Sequence, residues 1–191
     1  MDKATFLTRF LLSASLPQLD PSETIKTHRK AAVLIGLVER RHGLNVIFTE
    51  RARHLRHHPG QISFPGGKYE RFDKNLQQTA IRETNEEIGI KPDHINIIGE
   101  LAPLKTVTGF EIFPYVAFID QRFTLNVDLQ EVSTVFEAPF THFLDRSNSY
   151  KQPISDNKTR RFTHCIPYQN HLIWGATAQI IKNLQAMLYQ G

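Results

Sequence analysis

The stretch Arg82-Glu83-Thr84-Asn85-Glu86-Glu87-Ile88-Gly89-Ile90 decides how this chain is read. Glu83, Glu86 and Glu87 stand at i, i+3 and i+4, so at about 100° per residue they share one helical arc of roughly 100°. Leu76, Ala80, Ile81, Thr84 and Ile88 fill the neighbouring arc. A helix beginning at Asp73 or Asn75 is predicted, with Gln78 three residues after Asn75 in a capping-box pattern. Gly89, followed by Pro92, ends it. One face of this helix can enter a core while three carboxylates project beside it.

Three anions on one patch repel one another. At ~5 Å and an effective dielectric near 20, each pair costs about 3 kcal/mol, but below ~1 kcal/mol in open water. A partly sheltered cluster therefore calls for a cation, and hard oxygen ligands select Mg²⁺ or Mn²⁺. Three glutamates do not fill an octahedron, so water and substrate oxygens would complete the shell. At this level a solvated acidic helix face is the competing reading.

Upstream lies Phe64-Pro65-Gly66-Gly67. Adjacent glycines permit positive φ and close backbone approach, whether to a phosphate or between helix and sheet. Further upstream, residues 51–58 (Arg-Ala-Arg-His-Leu-Arg-His-His) hold three arginines, three histidines and no acid. Guanidinium groups match phosphate oxygens in bidentate geometry. A solvated cationic loop and an RNA-contacting patch remain open alternatives. His54, His57 and His58 lack regular metal-ligand spacing. The order of basic loop, glycine turn and acidic helix places cations, backbone donors and a metal cage within 40 residues, the parts that phosphoryl chemistry uses.

The rest of the chain sets the frame. Its 191 residues suit one domain, and 40% hydrophobic with 22% charged residues excludes disorder, collagen and coiled coil. No apolar run reaches the ~18 residues of a membrane span, so no membrane partner is expected. The net charge of +4 suits an anionic partner without naming one. The single cysteine, Cys165, excludes an internal disulfide and points to the cytoplasm. Residues 1–17 lack a clustered basic start, and Ser13 and Ser15 interrupt their apolar stretch. An amphipathic helix capped by Asp2, with Phe6, Leu7, Phe10, Leu11 and Ala14 on one face, is expected there in place of a signal peptide.

Residues 27–38 read as a buried strand, turned at 40–43 into a hairpin with 44–49. Further strands are expected at 95–101, 113–119, 123–127 and 132–136, a closing pair at 161–166 and 171–174, and a last helix over 176–189. Together these elements predict a mixed sheet with helices on its faces, in the α/β or α+β class.

On these residues the chain resembles the Nudix hydrolases, whose box reads G-x5-E-x7-R-E-U-x-E-E-x-G-U, with U aliphatic. Gly67 opens the box, and Arg82 to Ile90 close it. Asp73 replaces the first glutamate, eight residues rather than seven separate it from Arg82, and Thr84 replaces an aliphatic residue. These departures resemble one branch, the coenzyme A pyrophosphatases. Its second signature, L-L-T-x-R-[SA]-x3-R-x3-G-x3-F-P-G-G, appears here as Ile47-Phe48-Thr49-Glu50-Arg51-Ala52, then Arg56, Gly60 and Phe64-Pro65-Gly66-Gly67. Only the first two positions differ, apolar for apolar, and the two signatures cover residues 47–90 continuously.

The resemblance implies a Nudix α/β/α sandwich with a mixed sheet and added N- and C-terminal helices. Residues 1–28 would form a helical extension, 29–160 the Nudix domain, and 161–191 a closing strand pair and helix packed on that domain. It further implies hydrolysis of the pyrophosphate in coenzyme A or its thioesters, giving 3′-phosphoadenosine 5′-phosphate and 4′-phosphopantetheine or its acylated form. Other Nudix substrates (an ADP-sugar, NADH, a nucleoside triphosphate, capped RNA) form the alternative, and a non-catalytic nucleotide- or RNA-binding module a more distant one. The partner expected is a small pyrophosphate and not a nucleic acid.

By position, Glu83 and Glu87 would be the principal ligands of Mg²⁺ or Mn²⁺, with Glu86 a third, direct or through water. Arg82 would orient a helix carboxylate. Arg51, Arg56, Gly60, Gly66 and Gly67 would serve the substrate. The general base would be Glu131, outside the box, or Glu86 within it.

Overall fold

The computed structural model describes residues 1–14, 29–156 and 159–189. In chain order its elements are α1 (Lys3–Ala14), β1 (Arg29–Arg40), β2 (Gly43–Arg51), β3 (Ile62–Ser63), β4 (Gly66–Lys68), α2 (Leu76–Ile88), β5 (Ile95–Glu100), β6 (Leu104–Lys105), β7 (Phe110–Ile119), β8 (Val132–Pro139), α3 (Phe140–Leu144), β9 (Tyr150–Asp156), β10 (Thr159–Tyr168), β11 (His171–Trp174) and α4 (Gly175–Tyr189). The larger sheet is mixed. Its path runs β3-β2-β1-β7-β5, with β8 beside β2, β4 beside β1 and β6 beside β7. Only the β1–β7 pair is parallel in this sheet, over ten residue pairs from Arg29↔Phe110 to Val38↔Ile119.

The apolar run of β1 is that of a strand buried on both faces. Val33, Ile35 and Leu37 face a core shared with α1, α3 and α4, while Ala32, Leu34 and Val38 face α2 through Ala80 and Ile88. The sheet therefore lies between two helical layers, the α/β sandwich expected. In α1, Asp2 accepts the Thr5 amide at 2.7 Å, and Phe6 and Phe10 are fully buried. The Phe6 ring meets Phe118 and Phe140 edge-on. The N-terminal helix is thus part of the main core. Of the extension expected over 1–28, residues 15–28 lie outside the described residues.

Two expectations need correction. Residues 123–127 form no strand. Their segment spends its backbone groups on the end of α2: the Asn126 N–H donates to Ile88 O at 3.0 Å and the Asp128 N–H to Glu87 O at 3.0 Å. These are carbonyls that a helix end leaves without intrahelical partners. The closing strand pair is also larger than expected. β9 joins β10 and β11 in a separate three-stranded sheet, with Tyr150 opposite Cys165 and Trp174 on its other side. The polar Gln152, between Tyr150 and Ile154, breaks the apolar alternation that would have marked β9 in the sequence, and Pro153 is itself a residue depleted in strands.

Candidate active site

The site begins where β4 meets α2. The cap of α2 follows the sequence closely: Asn75 Oδ1 accepts the Gln78 N–H at 2.8 Å, and Gln78 Oε1 accepts the Lys74 N–H at 2.8 Å. The return bond thus goes one residue before the cap. Gly89 closes the helix at φ 76° and donates to Asn85 O. Thr84, in a position that favours an apolar residue, is buried and gives its hydroxyl to Ala80 O at 2.7 Å, so no polar group is left unpaired. With the helix fixed this way, Glu83 and Glu87 look toward β4.

The paired glycines explain how close that approach is. β4 lies antiparallel on β1, with Ala32↔Gly67 and Val33↔Gly66. A Cβ on Gly66 would collide with Ala32 O and Val33 Cα, and one on Gly67 would lie against all three atoms of the Glu83 carboxylate. The Gly66 N–H donates to Glu87 Oε2 at 3.2 Å. These glycines thus seat the two carboxylates against backbone, the helix-against-sheet alternative that the turn offered.

Asp73 takes the part that its departure from the box left open. It is buried at 3% exposure and faces Arg82 side-on, with Nε to Oδ1 at 2.9 Å and Nη2 to Oδ2 at 3.0 Å. It also accepts the Thr79 hydroxyl and the Glu70 N–H. Bonding to Arg82, together with these donors, holds its carboxyl well below the usual range despite burial. Arg82 continues to Glu83 Oε1 at 3.0 Å, Glu86 Oε2 at 2.8 Å and Lys68 O at 3.1 Å. The arginine is a hub for three carboxylates, with the bidentate pair to Asp73 as its anchor.

The metal-ligand candidates divide. Glu87 is 4% exposed, and burial pushes its carboxyl up to about 8, against the opposing pull of the Gly66 N–H. Glu83 is also raised, chiefly by burial and against Arg82. The charges of Glu131 and Arg51 reach this pair: Glu131 adds a small push to both carboxyls, and Arg51 favours the Glu87 anion. Glu86 is more exposed and turned to Arg82. Among the described residues no three acidic, imidazole or thiol groups already converge on one point. Arg82 accounts for this by drawing off Glu86 and one oxygen of Glu83. Two desolvated carboxylates one helical turn apart, with a third anion nearby, nevertheless form a hard-oxygen donor set that a divalent cation would stabilise in place of protons.

The basic loop between β2 and β3 is closed at its neck. Arg51 N–H donates to Gln61 O at 3.0 Å, Gly60 N–H to Arg51 O at 3.1 Å and Ala52 N–H to Glu131 O at 2.8 Å. Gly60 makes that turn at φ 69°. Arg51 therefore stands at the neck of the loop, its main chain bonded to both Gln61 and Gly60. Arg56 is exposed on the loop and has no hydrogen bond or ion pair among the described residues. Asp73 is the residue whose role the sequence did not reveal. Its only signal was its nine-residue spacing from Arg82.

Residues 27–160 match the family model described as the NUDIX domain. A curated relative from Enterobacter sp. (strain 638), described as "Uncharacterized Nudix hydrolase NudL", is 38% identical over 179 residues, covering 94% of this chain and 91% of its own. The protein of the same description from Yersinia enterocolitica is 35% identical over 178 residues, covering 93% and 91%. Among solved structures, DR0079 from Deinococcus radiodurans aligns with a TM-score of 0.54 at 14% identity, over 87% of this chain and 88% of that one. The NUDIX domain of Shewanella oneidensis NrtR, complexed with ADP ribose, aligns with a TM-score of 0.51 at 21% identity, over 75% and 87%. At these identities the structural likeness concerns the fold.

Proposed function

The chain belongs to the Nudix hydrolase family, and on that basis we propose that it cleaves the pyrophosphate of coenzyme A or its thioesters. The products would be 3′-phosphoadenosine 5′-phosphate and 4′-phosphopantetheine or its acylated form. The observation that carries this reading is the pairing of two features at one place. Arg51, the first arginine of the coenzyme-type signature, is close enough to Glu87 of the carboxylate helix for its charge to favour the Glu87 anion. Arg56 is exposed on the same loop, which Gly60 closes at its neck. A substrate with a pyrophosphate and a further, remote phosphate suits a cationic loop that starts at the carboxylates and runs away from them.

In this reading Glu83 and Glu87 hold the cation, and Glu86 joins them directly or through water. Mg²⁺ or Mn²⁺ held there would supply neutralisation of the pyrophosphate charge and a lower pKa for the attacking water. Water attacks one phosphorus and the bridging P–O bond breaks, with the bridging oxygen leaving on the other phosphate. A carboxylate accepts the water proton. Glu131 fits this role better than Glu86. Its carboxylate has no ion-pair partner among the described residues and stands near two other anions, whereas Glu86 is tied to Arg82. Arg82 orients Glu83 and Glu86 from its anchor on Asp73, and Arg51 offsets charge on the leaving phosphate. Among the described residues no helix is long and apolar enough to cross a membrane, and with the lone cysteine this supports a cytoplasmic location.

The test is mass spectrometry of the products formed from coenzyme A, an acyl thioester of it, NADH and ADP-ribose incubated with the protein and Mn²⁺. Release of 3′-phosphoadenosine 5′-phosphate is expected. Intact coenzyme A beside cleaved ADP-ribose or NADH would overturn the substrate assignment.

A further inference from the structure

One buried carboxylate lies outside this machinery. Glu50 is the variable position of the upstream signature, next to Arg51, and its side chain is 13% exposed. It reaches the three-stranded sheet, where its Oε2 lies 3.7 Å from His171 Nδ1. Its Oε1 accepts Arg53 Nε at 3.4 Å and Nη2 at 3.3 Å, and so reaches into the basic loop. Its main-chain oxygen accepts the Ser133 hydroxyl at 3.1 Å. Gly60, which closes the loop, leaves that carboxylate room: a Cβ there would still lie 3.9 Å from Oε1.

The other end of the link is equally fixed. The His171 ring lies flat on Phe136, with centroids 4.0 Å apart and planes at 4°. Phe136 packs in turn on Phe48, at 5.5 Å. His171 belongs to β11, beyond residues 27–160, where the family model ends. A strand outside the family domain thus reaches the neck of the basic loop through one carboxylate.

We propose that Glu50 is a positioning residue that ties the basic loop to β11 through Arg53 and His171, and so holds the loop arginines ready for the substrate's phosphates. Glu50 touches neither substrate nor cation. Its effect is on how often the loop is in its binding arrangement, and so on KM more than on kcat. The substrate part of this inference rests on the reading of the site given above.

Two variants test it without removing the packing. Glu50→Gln keeps the shape and loses the charge, and His171→Phe keeps the stacked ring and loses Nδ1. Trypsin, which cuts after Arg53 and Arg56, reads the loop without any substrate. Faster cutting in both variants is expected, with unchanged far-ultraviolet circular dichroism and a similar Tm. The KM for coenzyme A should rise about three- to tenfold at near-constant kcat, as befits a weak polar contact. The double variant should be no worse than the stronger single one. Unchanged cutting overturns the tie, and faster cutting with unchanged KM overturns its role in substrate binding. If wild type leaves coenzyme A intact, the substrate assignment fails by itself. Cutting rates, with KM for ADP-ribose, then still decide the tie.

Discussion

Replacing Glu87 by glutamine should make the metal-free protein more stable near neutral pH while disabling it. Burial raises this carboxyl from its ordinary 4.5 to about 8. The folded state therefore holds a proton that the unfolded chain has lost, and stability falls as pH rises between those values. Up to pH 7 this loss amounts to about 3 kcal/mol. Glutamine keeps an acceptor for the Gly66 N–H and has no charge to desolvate. Urea unfolding in EDTA between pH 5 and pH 8 should show the stability of Glu87→Gln rising relative to wild type by about 3 kcal/mol. Taking the difference between the two proteins removes groups of opposite sign, such as His164, whose lowered value favours the folded state as pH rises. With Mg²⁺ the order reverses, because only wild type gains from the cation by mass action. A stability difference that does not change with pH, or an equal gain from Mg²⁺ in both proteins, would refute the account of Glu87 as a buried carboxyl that keeps its proton until a cation replaces it.

Four further outcomes are expected. Glu83→Gln and Glu87→Gln should each lower metal-dependent turnover by about 10²–10⁴ while remaining folded, and near-wild-type rates at limiting Mg²⁺ would discard the metal-helix assignment. Asp73→Ala leaves Arg82 in a half-closed site without its anchor and should cost about 3–5 kcal/mol in urea unfolding; a loss below ~1 kcal/mol would show that Glu83 and Glu86 suffice to hold Arg82. Gly67→Ala drives a methyl into the Glu83 carboxylate, so Mn²⁺ affinity by calorimetry should drop more than thermal stability, and unchanged affinity would remove the glycine from the site. Arg56→Ala should lower kcat/KM for coenzyme A about tenfold if it pairs with the 3′-phosphate, and spare dephospho-coenzyme A. Equal losses on both would place it on the pyrophosphate, and no loss on either would leave it a solvated residue.

The sequence disclosed the parts of this molecule that obey local rules. The α2 cap at Asn75, its stop at Gly89 and the β1–β2 hairpin each depend on residues within a few positions of one another. The doubly buried β1 was visible because nearly every residue is apolar. The segment 123–127 was misread because Phe123 and Val127 face the α2 core while the backbone between them bonds to a helix end, and alternation of side chains does not reveal where main-chain groups are satisfied. The site shows the same division. The arc of Glu83, Glu86 and Glu87 follows from helical geometry alone. The choice among them belongs to Arg82 and Asp73, whose contact depends on the fold of the intervening turn. Glu50 carried no signal, since its partner His171 lies 121 positions away in the chain.

The two main-chain bonds from residues 126 and 128 to the last carbonyls of α2 have a consequence for how this protein tolerates change. The connection from β7 to β8 is long and carries exposed side chains, among them Leu125 and Leu129, and such a segment would ordinarily accept insertions. Here its length is a spacer. It leaves the helix end at Asp128 and arrives at Glu131, whose carbonyl holds the Ala52 N–H. Replacing its exposed side chains, such as Leu125 and Leu129, should therefore be neutral. Adding or deleting one residue between 126 and 131 would shift the carboxylate helix out of register with the arginine loop, and activity would be lost in a protein that still folds.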